Sequence, residues 1–136
     1  MNHFRRAGSR RPGQRRLRVL IVDCHKPEMA RAQRALRAAG HETNGARDLA
    51  AASVLIDSAD VVVLDPGPGE QILRDLAPAL RVDGTLIVYT DHHEQLHGSG
   101  RPVIALAKGD LAALLDAVAG ACLHLSYEGR RSPQAL

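Results

Sequence analysis

Four polar residues stand just past apolar runs: Asp23 after "LRVLIV", Asp65 at the end of "DVVVLD", Thr90 at the end of "GTLIVYT" and Lys108 after "RPVIALA". If those runs are strands of one parallel sheet, the four side chains gather outside its carboxyl edge, where ligands bind in open α/β sheets. Two adjacent carboxylates repel, which suits them to a hard, oxygen-seeking cation such as Mg²⁺. A lysine and a hydroxyl beside them would hold the oxygens of a phosphoryl group. One carboxylate would then be the nucleophile that carries an acyl phosphate.

The elements needed for this are legible. "LRVLIV" is a short buried strand, and Pro27 suits the first turn of a helix that ends near Ala39, with Gly40 as its stop. "HETNGA" is a weaker strand, and Asp48 caps an Ala-rich helix reaching Ile56. "DVVVLD" reads as a strand covered on both faces. A "PGPG" turn, a helix from about Glu70 to Leu80, the strands "GTLIVYT" and "RPVIALA", and a closing helix opened by Asp110 complete the order. Strand and helix alternate throughout, so the expected class is α/β with a parallel sheet and right-handed crossovers. A disordered basic arm is expected over residues 1–16, a folded domain over 17–125 and a flexible polar tail over 126–136.

With these residues in place, the chain from about Arg18 to Leu125 resembles the receiver domain of two-component response regulators, of the chemotaxis-receiver type. "VLIVDCHKPEMARAQRALRAAGHE" is similar to the family's opening strand and helix, and "VVVLD" to its phosphoacceptor strand. "LIVYT" is similar to the strand ending in the switch hydroxyl, and "VIALAK" to the strand ending in the lysine. The resemblance implies a flavodoxin-like, doubly wound five-stranded sheet in the order 2-1-3-4-5. It implies Asp65 as phosphoacceptor, Thr90 as switch hydroxyl, Lys108 as phosphoryl-binding lysine, and Mg²⁺ held by Asp23 and Asp65. A histidine kinase or phosphotransfer protein is the implied partner, and self-association as a homodimer is compatible with it.

The departures from that pattern are as informative. Cys24 stands where the family has its second acid, and a soft thiol is a poor Mg²⁺ ligand, so the expected metal affinity is reduced. Asp91 follows Thr90 where a small residue is usual, adding negative charge near the phosphoryl position. Ala105 replaces the fifth-strand aromatic, and Gly109 replaces the proline after the lysine. The loop "DPGPGE" is shortened, and the stretch from Thr90 to Lys108 leaves room for at most about two turns of a fourth helix. The expected function is a degenerate, stand-alone receiver-like signalling domain. It is either phosphorylated at Asp65, with no chemistry beyond gaining and losing that group, or a binding module that works without phosphorylation.

Two other features compete. "HEQLH" (His93 to His97) matches the zinc-protease signature, two imidazoles one helical turn apart around the base Glu94. Gly98 and Gly100 follow at once and would end the long helix that this mechanism needs, so adventitious zinc or nickel on His92, His93 and His97 is the better expectation. The charge is also divided. Residues 1–18 hold seven Arg and no acid, whereas residues 19–128 hold nine Lys or Arg against fifteen Asp or Glu, a net −6. Nucleic-acid binding is therefore expected only through the arm, and the scarcity of aromatic residues argues against a base-stacking surface. Cys24 and Cys122 make neither a metal spacing nor a disulfide framework, so a reducing cytoplasmic setting is expected. No apolar run reaches the roughly 18 residues of a membrane span.

Overall fold

The computed structural model describes residues 16–67, 71–91 and 102–131, with side chains of the last helix described as far as Ala121. Five strands form one sheet: β1 (Arg18–Val22), β2 (Glu42–Ala46), β3 (Val61–Leu64), β4 (Thr85–Tyr89) and β5 (Ile104–Leu106). Their order is β2-β1-β3-β4-β5, and every neighbouring pair is parallel. The parallel sheet is the one that the strand–helix alternation predicts, and its flavodoxin-like order is the one that the resemblance implies. Registers such as Val19 with Val61 and Val62 with Leu86 stack the apolar runs side by side.

Those runs are apolar at every position because both faces of the sheet are covered. Helices α1 (Lys26–Ala38) and α4 (Leu111–Arg131) lie on one face, where Ala32, Leu36, Leu114 and Val118 meet Val19, Ile21, Val63 and Ile87. Helices α2 (Leu49–Leu55) and α3 (Gln71–Leu76) lie on the other, closing over Leu20, Val22, Val62, Leu64 and Val88. Each fully buried Leu, Ile or Val contributes about 1.5–3 kcal/mol. The central strands β1, β3 and β4 are therefore the most firmly held part of the sheet.

Local chemistry sets the ends of the helices. Pro27 falls in the first turn of α1, and Gly40, at φ +98°, takes the left-handed backbone beyond its last turn. Asp48 caps α2 by accepting the Ala51 amide at 2.8 Å. The helix expected from Glu70 to Leu80 is shorter: α3 stops at Leu76 and continues as a 3-10 turn over Ala77–Ala79, because Pro78 supplies no amide proton. The fifth strand is also shorter than "RPVIALA" suggests. Pro102 cannot donate to a ladder, and β5 is an edge strand paired only with β4 among the described residues. Helix α4 runs to Arg131, past Ser126. Among the described residues, no helix is long and apolar enough to cross a membrane.

The basic arm to Arg15, the loop residues 68–70, and the segment 92–101 with its "HEQLH" motif lie outside the described residues.

Candidate functional site

The four polar residues singled out at the strand ends do meet. Asp23 follows the last residue of β1, Asp65 the last of β3 and Thr90 the last of β4, while Lys108 comes two residues after β5. Since β1, β3 and β4 are adjacent and parallel, their carboxyl ends bring the three side chains to one edge. Three main-chain bonds extend the ladders into the site: Asp23 N–H to Ala46, Asp65 N–H to Val22, and Thr90 N–H to Leu106, at 3.0, 2.9 and 3.1 Å.

Lys108 is the hub. Its Nζ lies 2.7 Å from Asp23 Oδ2 and also donates to Asp65 Oδ2, so one ammonium joins two carboxylates. The remaining oxygens are occupied too. Asp23 Oδ1 accepts the His25 amide at 2.9 Å, and Asp65 Oδ1 accepts the Gly67 amide at 2.9 Å. Thr90, fully buried, hydrogen-bonds the Asp65 carboxylate from the third side. A buried cluster of this kind is tolerable only when each charge has its partners.

Electrostatics favours the charged forms of Asp65 and Lys108. Burial pushes the Asp65 carboxyl upward, but bonds from Lys108, Gly67 and Thr90 and the lysine charge outweigh it, leaving the group below its ordinary value. Burial likewise opposes the charge on Lys108, yet Asp23 and Asp65 more than compensate and raise it. Asp65 and Lys108 therefore face each other as a charged pair at neutral pH. Accessibility also differs: the Asp23 side chain is 5 % exposed and that of Asp65 21 %. A reagent arriving from solvent meets Asp65 first.

Two carboxylates against one lysine leave a net charge of −1, and hard oxygen donors fit Mg²⁺, which binds through one or two carboxylates and keeps several waters. Cys24 does not join them. Its thiol is free and exposed, a soft ligand outside the hydrogen-bonded cluster. Among the described residues, no group of three His, Cys, Asp or Glu gathers to hold a metal. The oxygen donors that fit are Asp23 and Asp65 alone among these acids, and Asp91 next to Thr90 is exposed.

One contact of the lysine turn was not anticipated from the sequence. The Tyr89 hydroxyl accepts the amide of Gly109, the residue after Lys108, at 2.9 Å. Its signal in the sequence is faint: a tyrosine within an otherwise aliphatic strand, beside a lysine followed by glycine.

Comparisons with solved structures agree with this architecture. The chain is similar to the signal receiver domain of an HD domain-containing protein from Pseudomonas fluorescens Pf-5, with TM-score 0.70, 24% identity, and coverage of 87% of this chain and 95% of that one. It is similar to a CheY-like response regulator receiver domain protein from Methanospirillum hungatei JF-1, with TM-score 0.67, 16% identity, and coverage of 84% and 99%. It is also similar to the response regulator TrrA from Thermotoga maritima, solved in complex with Mg²⁺ and BeF, with TM-score 0.65, 18% identity, and coverage of 77% and 98%. No protein-family model matches the sequence, and no curated protein does. The fold is thus that of response-regulator receiver domains.

Proposed function

We propose that the chain is a receiver-type signalling domain in which Asp65 accepts a phosphoryl group. The single observation that carries this reading is the Lys108 ammonium bridging Asp23 and Asp65, with Thr90 bonded to the same Asp65 carboxylate. A purely structural end-of-strand acid caps the next turn. It does not need a lysine drawn in from the turn after another strand, 43 residues away.

The step balances simply. With a phosphohistidine donor, an Asp65 oxygen forms the new P–O bond as the P–N bond breaks. The electron pair goes to the departing imidazole, which takes up a proton. Asp65 is the acceptor rather than Asp23 because it is the more exposed. Lys108 follows the charge onto the phosphoryl oxygens, and the Thr90 hydroxyl turns from the carboxylate to one of them. Asp23 and Asp65 would hold Mg²⁺, which when bound supplies further neutralisation of the phosphoryl charge. The partner is a histidine kinase or phosphotransfer protein.

Cys24 favours a second reading. With a thiol in the place of an acid, the same edge serves as a binding surface for a protein partner without phosphorylation. Incubation with acetyl phosphate and Mg²⁺ decides between the two. A hydroxylamine-labile adduct of one phosphoryl group, absent in Asp65→Asn and in EDTA, supports the first. No adduct in the wild-type protein, with partner binding kept in Asp65→Asn, replaces it with the second.

A further inference from the structure

Lys108 occupies a tight turn. The Asp110 amide donates to the Ala107 carbonyl at 3.2 Å, closing Ala107–Asp110, with Gly109 at φ +93° in the third position. That conformation is the mark of a type II turn, in which the third residue needs a positive φ. The turn leaves the amide between its two central residues, the Gly109 N–H, pointing out of the closed ring. In this chain it points at Tyr89, whose hydroxyl takes it at 2.9 Å.

We propose that Tyr89 is a positioning residue for Lys108: its hydroxyl fixes the Lys108–Gly109 peptide and thereby aims the ammonium at Asp23 and Asp65. Both ends of this link are anchored. The tyrosine is 2 % exposed, its ring set in the apolar layer with Leu114 and Val118, with Leu106 packed against it. Beyond the turn, Asp110 Oδ1 accepts the Ala113 amide at 3.0 Å and so fixes the start of α4. Between these anchors the Gly109 carbonyl accepts the Leu111 amide at 3.0 Å, and the Gly109 amide, in the peptide that carries Lys108, is held by the phenol. Burial keeps that phenol above its ordinary pKa, so it is a neutral hydroxyl across the working range of the protein. Tyr89 and Thr90 are consecutive. One strand end thus supplies a hydroxyl to Asp65 and another to the turn that brings the lysine.

The consequence for phosphoryl acceptance rests on the proposed role of Asp65, but the positioning itself can be read without it. The chain has two lysines, Lys26 and Lys108, and Lys26 is exposed. Competitive labelling of the intact protein with acetic anhydride, followed by mass spectrometry, gives the reactivity of Lys108 relative to Lys26. The Tyr89→Phe protein keeps the ring and its packing and loses only the hydroxyl. The expected result is a rise of at least threefold in the Lys108 to Lys26 ratio, with an unchanged circular dichroism spectrum. An unchanged ratio overturns the proposal. Amide hydrogen exchange in the wild type gives a second reading that needs no variant. The Gly109 amide should exchange at least tenfold more slowly than an unstructured glycine, and exchange at the unstructured rate overturns the proposal equally. In the acetyl phosphate reaction, Tyr89→Phe should lower the maximal rate about tenfold and leave the half-saturating donor concentration unchanged. Should the wild type accept no phosphoryl group, the role assigned to Asp65 fails, while the lysine-reactivity result still decides the role of Tyr89.

Discussion

Arg81 reaches Asp60 with Nη2 2.7 Å from Oδ1, at the edge of the sheet opposite the acid–lysine cluster. Asp60 is buried, and its other oxygen accepts the Arg18 amide at 2.9 Å. Its main chain bonds Arg18 and Thr85, so one residue ties β1, β3 and β4 together where they begin. Asp60→Ala should cost about 2 kcal/mol, mostly from the orphaned amide, since the partly exposed Arg81 adds little. Asp60→Asn keeps an acceptor and should cost about half as much. Urea unfolding of the two variants checks the ratio.

Removing the hub of the acid–lysine cluster has a larger effect on charge. Lys108→Ala leaves Asp23 and Asp65 facing each other, and should cost about 2 kcal/mol at pH 7. This is less than a fully buried pair because Asp65 keeps part of its surface in water. It should also abolish acetyl phosphate labelling.

The same cluster fixes the pH range of stability. Asp65 lies below its ordinary value in the fold, so its contribution is complete above about pH 4 and is lost as the pH falls through the lowered value. Lys108 lies above its ordinary value, so its contribution is complete below about pH 10.4 and is lost as the pH rises through the raised value. Denaturation midpoints should show both flanks in the wild type; in Lys108→Ala the alkaline flank should be absent and the acid flank reduced.

His41 gives a flank nearer neutrality. Its Nδ1 accepts the Leu17 amide at 3.2 Å, and burial, with the Arg16 charge, lowers its pKa. A lowered histidine contributes fully above its ordinary value, about 6.5, and that contribution is lost as the pH falls through the folded one. Between pH 7.5 and 5 the wild type should therefore lose more stability than His41→Gln, as followed by urea titration at each pH.

Cys24 tests the deficit in the acid set. Cys24→Asp places a hard ligand beside Asp23 in a position that is already exposed, so folding should be little affected. Apparent Mg²⁺ affinity, followed by magnesium-dependent acetyl phosphate labelling, should rise about tenfold, or roughly 1.4 kcal/mol.

Much of this was readable in the sequence because parallel strands covered on both faces are written as unbroken apolar runs. "VLIV", "VVVL" and "LIVY" could be located, and the polar residue that stopped each run marked the edge where the acids, the hydroxyl and the lysine meet. The ends of elements were harder. Pro78 turned the close of α3 into a 3-10 turn, and Pro102 held β5 to three residues, both through a missing amide that a hydrophobic pattern does not register. Asp60 stood in the stretch "DVVVLD" with no role of its own, although an acid beside a wholly apolar run is itself a hint of a buried acceptor. The bond from Gly109 to Tyr89 was invisible because it joins a strand to the turn after its neighbour through a side chain and a main-chain amide, for which sequence spacing has no signature.

The all-parallel sheet has a kinetic consequence. No two paired strands can be joined by a hairpin, so every ladder closes a long loop before it is rewarded by contacts. Folding should accordingly take milliseconds to seconds rather than microseconds. The ionic cluster is among the last things such a chain can complete: a nascent polypeptide already carries both acids while the cation that reconciles them is still unsynthesised.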